Sequence, residues 1–169
     1  MKYLLEKKLI VIRHAHRSKS LGNDADNGIS DRGKSQVKEL TRFFKRRFKK
    51  SPLTLYSSPK IRCQQTILPI AKLTKSRIQT LDCLDESRTD LELRGRLREF
   101  ERVLSGTDAE LIAICSHGDW IPAFLETSTG IRLELEKSGW AELDLHGNQG
   151  NTGDSAGWRE LRWLIQEFE

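Results

Sequence analysis

Three short segments of the chain are continuously apolar and rich in β-branched residues. They cover residues 8–13, 53–57 and 111–115. Runs of this kind are typical of strands that are buried on both faces, as in a parallel sheet. A shorter strand is predicted over residues 77–81.

Helical patterns fill the segments between these strands, over residues 30–48, 60–74, 91–104 and 119–129. Ser30 is a favourable N-cap residue for the first helix. Strands that alternate with helices indicate βαβ crossovers. The pattern therefore predicts an α/β fold, built as a three-layer α/β/α sandwich with a mostly parallel central sheet. The length of 169 residues is typical of one domain, which we expect to span residues 1–169.

Apolar and polar residues alternate in two runs near the C-terminus. The first run contains Ala141, Leu143 and Leu145, the second covers residues 161–166, and a loop rich in Gly and Asn lies between them. Two such runs predict an antiparallel hairpin at the edge of the sheet. The alternative is a helix, because residues 158, 161, 164 and 168 also form one helical stripe.

The composition, with 37% hydrophobic and 31% charged residues, predicts a soluble globular protein. No apolar run reaches the length that a signal peptide or a membrane span requires, so we expect a cytoplasmic protein without a membrane partner. The cysteines Cys63, Cys83 and Cys115 form an odd set without C-x-x-C spacing. This argues against a disulfide framework and against a structural zinc site, and it predicts reduced thiols.

The positive charge is concentrated in residues 31–50, where nine Lys or Arg residues accompany two acids. A basic segment raises the possibility of nucleic-acid binding. However, none of the usual RNA-binding or DNA-binding motifs accompanies it. We therefore interpret the segment as a solvated helix face, whose field favours anionic substrates or acidic partners, and we expect no nucleic-acid partner.

Polar, chemically active residues follow each of the three buried strands. Arg13 and His14 follow the first strand, Arg62 opens the helix after the second, and His117 follows the third. Ligands of open α/β sheets bind at the carboxyl ends of the strands, so these side chains are expected to meet at one edge. Each segment alone is weak evidence, but the three together predict a functional site.

The chemistry that suits these residues is phosphoryl transfer. A neutral imidazole attacks phosphorus well, so His14 is the candidate nucleophile, with the proton of its other ring nitrogen directed to a backbone carbonyl. Arg13, Arg62 and His117 would stabilise the charge of the equatorial phosphoryl oxygens. Neither a metal nor another cofactor is then required. We expect Arg17 to bind substrate as well and His16 to line the rim.

Four segments resemble the histidine phosphatase (phosphoglycerate mutase-like) superfamily, in family order. Residues 9–15 resemble its Arg-His-Gly signature, with Ala15 in place of glycine, and residues 28–33 resemble the stretch before its first helix. The segment 57–66, with Arg62 and Thr66, is similar to its second arginine block. Residues 116–119 are similar to its second-histidine block.

The resemblance implies a phosphatase with His14 as nucleophile and with Arg13, Arg62 and His117 in the phosphate pocket. It nominates Glu86 of the Leu84-Asp85-Glu86 segment as the proton donor, with Asp85 as the neighbouring alternative. The alanine and the short connection between residues 86 and 117 favour the SixA-like phosphohistidine phosphatase branch. An open pocket favours hydrolysis over transfer.

Two other functions are compatible with these residues. The first is a metal-dependent hydrolase that uses His14, His16 and His117 with Asp119, since histidines at positions i and i+2 are a genuine ligand spacing. The second is a phosphate-binding or phosphoprotein-binding module without turnover. The expected partner is a phosphorylated small molecule or a phosphoprotein, and the sequence leaves both the substrate and the oligomeric state open.

Overall fold

The structure, a computed structural model, describes residues 7–145 and 158–164. The part of the chain it describes contains six strands, four helices and a short 3-10 turn at Asp82–Leu84. The strands are β1 (Lys7–Arg13), β2 (Thr54–Ser57), β3 (Ile78–Thr80), β4 (Leu111–Ser116), β5 (Trp140–Leu145) and β6 (Trp158–Leu164). The helices are α1 (Asp31–Phe48), α2 (Ile61–Thr74), α3 (Asp90–Gly106) and α4 (Trp120–Thr129).

The six strands form one sheet in the order β3-β2-β4-β1-β5-β6. The first four strands in this order run parallel, β5 is antiparallel to β1, and β6 is antiparallel to β5. The predicted α/β fold, with a mostly parallel sheet and an antiparallel edge hairpin, is therefore confirmed. The helical alternative for the C-terminal run is wrong over residues 158–164, and positions 165 and 168 lie outside the described residues.

Side chains of β1 alternate between two apolar cores, one on each side of the sheet. Leu9 and Val11 pack with α3 and α4, whereas Ile10 and Ile12 pack with α1 and α2. All four are fully buried, as expected for a strand in the middle of a sheet that helices cover on both faces. This arrangement confirms the three layers that the sequence predicts.

Helix α1 begins as predicted, because the Ser30 hydroxyl accepts a hydrogen bond from the Gly33 backbone N–H at 3.1 Å. Its buried face repeats at helical spacing from Val37 to Phe48. The nine basic residues of the segment 31–50 are all exposed, so the interpretation as a solvated helix face is confirmed. None of the helices in the described ranges is long and apolar enough to cross a membrane.

Candidate active site

His14 follows β1 directly and is 4% exposed. Its Nδ1 lies 2.8 Å from the carbonyl oxygen of Ala15. A carbonyl only accepts hydrogen bonds, so Nδ1 carries the proton and Nε2 is the unprotonated nitrogen. Burial, together with the positive charge of Lys137, lowers the pKa of His14 to about 2. The imidazole is therefore neutral at physiological pH, in the tautomer that the sequence predicts for a nucleophile.

Thr66 of α2 forms a hydrogen bond with the segment that contains His14 and Ala15. Its hydroxyl accepts a hydrogen bond from the Ala15 backbone N–H at 2.9 Å and donates one to the Arg62 carbonyl at 2.6 Å. The side chain of Ala15 is fully buried, and its φ is not among the positive values of the chain. This position therefore does not require the glycine that the family signature has.

Arg62, His117 and Glu86 meet at the edge of the sheet where β2 and β4 end. The Arg62 Nη2 lies 3.2 Å from the Nδ1 of His117 and donates a hydrogen bond to the Glu86 carboxylate at 2.8 Å. The same carboxylate oxygen lies 3.9 Å from the Nδ1 of His117. The structure thus brings together residues that are up to 55 positions apart in the chain.

The opposite nitrogen of His117 is held by Ser58 and Asp85. The Nε2 lies 2.7 Å from the Ser58 hydroxyl and 3.4 Å from an Asp85 carboxylate oxygen. Burial alone would lower the pKa of His117, but the Asp85 carboxylate, with a contribution from Cys63, outweighs it and raises the pKa to about 9. His117 is therefore a cation at neutral pH, whose Nδ1 lies on the side of Arg62 and Glu86.

Arg13 reaches the same cavity from the last position of β1. Its Nη1 donates a hydrogen bond to the Leu135 carbonyl at 2.6 Å. Its guanidinium packs on Gly118, where a β-carbon would lie 2.5 Å from Nη2, so a larger residue there would displace the arginine side chain. The Nε atoms of Arg13 and Arg62 are buried and have no hydrogen-bond partner in the described part of the chain.

Three hydrogen bonds fix the loop that carries Glu86. The Ser116 hydroxyl donates to the Leu84 carbonyl at 2.7 Å, and the Trp120 indole donates to the Cys83 carbonyl at 2.8 Å. The Asp119 carboxylate accepts from the Ser87 N–H at 2.8 Å. These contacts hold the loop against the end of β4 and the start of α4.

Of the two polar residues that follow Ala15, Arg17 lies in the cavity and His16 does not. Arg17 lines the cavity and donates a hydrogen bond to the Asn23 carbonyl at 3.1 Å, and its predicted role in substrate binding stays a prediction. His16 does not line it, because its Nδ1 lies 2.8 Å from the Ser30 hydroxyl at the start of α1. The expectation that His16 lies at the rim is therefore wrong.

The cavity has a volume of about 820 Å³ and is open to solvent. One cation in the cavity is not predicted from the sequence. The Lys137 Nζ lies 3.5 Å from the Nε2 of His14. Lys137 precedes β5, which runs antiparallel to β1 and therefore starts beside the end of β1. The pairing of these two strands, which the sequence pattern does not specify, brings Lys137 to the cavity.

The geometry gives no support to a metal site built on His14, His16 and His117. His16 contacts Ser30 instead, and the described residues contain no group of three His, Cys, Asp or Glu side chains arranged to hold a metal ion. Cys63, Cys83 and Cys115 are buried free thiols, as predicted.

The family model of the histidine phosphatase superfamily (branch 1) matches residues 9–96. This range contains His14 and Arg62 and extends over more than half of the chain. The chain belongs to the histidine phosphatase superfamily. Membership confirms the prediction of a phosphatase enzyme, and the second-histidine segment around His117 lies beyond the matched range. No curated protein shows significant sequence similarity to the chain.

Solved structures with the same fold have diverse substrates. The chain is similar to a mycobacterial glucosyl-3-phosphoglycerate phosphatase, at 16% identity and a TM-score of 0.70 over 96% of this chain and 100% of the other. It is similar to the protein histidine phosphatase SixA complexed with tungstate, at 14% identity and a TM-score of 0.67 over 82% and 88%. A phosphoserine phosphatase from Entamoeba histolytica, in complex with 3-phosphoglyceric acid, has 17% identity and a TM-score of 0.62 over 81% and 90%. These likenesses confirm the fold.

Proposed function

We propose that the protein hydrolyses phosphomonoesters or protein phosphohistidine through a phosphohistidine intermediate on His14. The observation that carries the proposal is the state of His14, whose Nε2 is unprotonated and faces the cavity cations, while Nδ1 is held by the Ala15 carbonyl. In the first step Nε2 attacks phosphorus and the bond to the leaving group breaks. In the second step water attacks the phosphohistidine and releases phosphate.

The phosphoryl oxygens would be bound by Arg13, Arg62 and His117. Both arginines line the cavity, as His117 does, and the raised pKa of His117 keeps its ring protonated at neutral pH. Charged donors fixed in place before the reaction stabilise the charge of the transition state without reorganisation. Arg17, which lines the same cavity, is a further candidate for substrate binding.

Glu86 is the proposed proton donor to the leaving group. Burial favours its neutral form, but the adjacent Arg62 guanidinium prevails and lowers the pKa of Glu86 below its usual range. A phosphate bound to Arg62 would withdraw that positive charge from Glu86 and add a negative charge nearby, and both effects raise the pKa of a carboxyl group. Substrate binding would therefore supply the protonated acid. In the second step the resulting carboxylate would take a proton from the attacking water.

The open cavity supports a substrate that is larger than a simple phosphate ester. Its volume of about 820 Å³ leaves room beyond the phosphate for a large leaving group or a protein side chain. A phosphoramidate leaving group needs less help from an acid than an alkoxide does. The SixA-like fold adds to the case for phosphohistidine proteins as the first substrates to test. We place this activity in the cytoplasm, because three free thiols are typical of a reducing compartment.

The decisive experiment compares the wild type with the variants His14→Ala and His16→Ala on a panel of phosphomonoesters and one phosphohistidine protein. We expect His14→Ala to abolish turnover, and we expect acid-labile, base-stable phosphate to accumulate on His14 of the wild type. His16→Ala is the matched control and should keep its activity, also after exhaustive chelation. Phosphatase activity in His14→Ala would refute the mechanism. A metal-dependent wild type that loses its activity in His16→Ala would favour the metallohydrolase. A wild type without turnover on any of the substrates would favour a binding module.

A further inference from the structure

Lys137 occupies a position next to the nucleophile for which the established family membership gives no role. Its Nζ lies 3.5 Å from the Nε2 of His14, and it lines the same cavity as Arg13 and Arg62. No carboxylate of the described residues lies within ion-pair distance of Lys137. A half-buried ammonium group surrounded by other cations is unfavourable unless an anion binds there.

The backbone next to Lys137 forms hydrogen bonds with the backbone of Arg13 and His14. The Ser138 N–H donates to the carbonyls of Arg13 and His14 at 3.1 and 3.2 Å, and the Arg13 N–H donates to the Gly139 carbonyl at 3.0 Å. The Gly139 N–H closes the turn by donating to the Glu136 carbonyl at 2.8 Å.

Ser138 is fully buried and has a φ of 64°, in the left-handed region that a non-glycine residue rarely adopts. Such backbone strain is maintained only where surrounding contacts fix it. These contacts fix the backbone of Lys137 beside that of His14, and the lysine side chain extends from there to the His14 ring.

Geometry limits what the ammonium group can contact during the reaction. In phosphoryl transfer the attacking atom, phosphorus and the leaving atom are roughly in line, and the three other oxygens lie between them in the equatorial plane. A group within 3.5 Å of the attacking nitrogen lies on the nucleophile side of phosphorus. It is thus too far from the leaving atom to protonate it, but it can reach an equatorial oxygen.

We propose that Lys137 is a catalytic residue that binds an equatorial phosphoryl oxygen in the transition states of both steps. This inference rests on the proposed mechanism through His14. As a compact point charge, an ammonium group needs no fixed bidentate geometry to bind phosphate. Its positive charge also disfavours protonation of His14, so that one residue both keeps the nucleophile neutral and stabilises the phosphoryl group that it attacks.

The test uses the variants Lys137→Met and Lys137→Arg, with Lys34→Met as control, because Lys34 is exposed on α1 and its ion-pair partner among the described residues is Asp31. We expect Lys137→Met to lower kcat/KM by about 100- to 1,000-fold, the range for loss of one transition-state donor. Vanadate, a mimic of the pentacoordinate phosphoryl group, should bind correspondingly more weakly. Lys137→Arg should recover much of the loss, and Lys34→Met should match the wild type.

The pH profile separates a charge at the phosphate from a structural role. Burial and the charges of Arg13, Arg62 and Arg17 lower the pKa of Lys137 to about 8. The other titratable groups that face it are His14 and Cys63, which are present in wild type and Lys137→Arg alike. Wild-type kcat/KM should therefore fall above pH 8, whereas Lys137→Arg should keep its activity until His117 titrates near pH 9.

Two results would overturn the inference. One is a kcat/KM for folded Lys137→Met that equals that of Lys34→Met, with folding checked by near-ultraviolet circular dichroism and Tm. The other is an unchanged alkaline limb in Lys137→Arg. If the wild type forms phosphohistidine and these results occur, only the role of Lys137 fails. If the wild type forms no phosphohistidine, the mechanism itself fails.

Discussion

With Glu86 as the proposed proton donor, its contact with Arg62 would couple acid catalysis to phosphate binding. In the free enzyme the guanidinium holds the carboxyl group in its ionised form. A phosphate bound to Arg62 would compete with the carboxylate for this partner. The proton donor would thus become an acid only when there is a leaving group to protonate.

The variant Glu86→Gln tests this role through the leaving group. An amide keeps the shape of the side chain but cannot donate a proton of comparable acidity. We expect alkyl phosphates, which leave as basic alkoxides, to lose about 100- to 10,000-fold in kcat, the usual contribution of general acid catalysis. Aryl phosphates and phosphohistidine need little protonation and should lose far less. The measurement is kcat against the pKa of the leaving group, with wild type and variant compared.

A matched control is Glu92→Gln, because Glu92 lines the same cavity but caps α3 and pairs with Arg96. In Glu92→Gln, kcat should depend on the pKa of the leaving group with the same slope as in the wild type. Equal losses for all leaving groups in Glu86→Gln would contradict the donor role and would indicate that Glu86 only positions Arg62.

The residues whose position at one edge of the sheet could be predicted share a simple property: each follows the carboxyl end of a parallel strand. His14, Arg62 and His117 could be placed at one edge because apolar runs identify the strands. Lys137 could not, because it comes from a loop after α4 and its neighbour is defined by the β1–β5 pairing. Periodicity indicates that a strand exists but not which strand it pairs with.

The first turn of α1 lies close against the backbone of His16, two residues after His14. A β-carbon on Gly33 would clash with the backbone carbonyl oxygen of His16, which cannot move away as a flexible side chain could. The same carbonyl accepts a hydrogen bond from the Ser30 N–H at 2.9 Å. The glycine therefore permits a contact between elements, in addition to any effect on the helix itself.

We expect Gly33→Ala to lower the free energy of unfolding by about 1–3 kcal/mol, the usual cost of overpacking. Gly95→Ala is the matched control, because Gly95 lies within α3 and a β-carbon there has nothing within 4 Å. It should stabilise the protein by about 0.5–1 kcal/mol through helix propensity. Urea unfolding of both variants measures the difference. A stabilised Gly33→Ala would show that the two backbones are not in close contact.

The protein as a whole concentrates positive charge around one cavity. Arg13, Arg62, Lys137 and the protonated His117 repel one another. Carboxylates of the described residues oppose part of this charge, with Asp26 and Glu86 paired to Arg62 and Asp85 paired to His117. Such repulsion is a cost to folding that an anion in the cavity would remove. Binding of an anion in the cavity should thus raise the free energy of unfolding of the whole chain.

We expect inorganic phosphate to raise Tm more than sodium chloride does at the same ionic strength. At a concentration of ~100 times Kd, a ligand that binds only the folded state adds about 2.7 kcal/mol. For a chain of this size that corresponds to roughly 5–10 °C. Arg62→Met should lose most of the phosphate-specific part. An equal rise with both salts would contradict a specific anion site. Differential scanning calorimetry gives the comparison directly.

The distance between the two histidines of the site follows from the register of the sheet. β1 and β4 are neighbours, Arg13 is paired with Ser116, and the rings of His14 and His117 are centred 5.3 Å apart, close to the separation of adjacent strands. The spacing of the reacting groups is thus set by backbone hydrogen bonds, which every sequence with this fold can make. Under the proposed function, substrate choice would depend on the loops around the cavity, which no strand pairing constrains. A new specificity could therefore evolve, or be engineered, at the rim while the reaction centre keeps its dimensions.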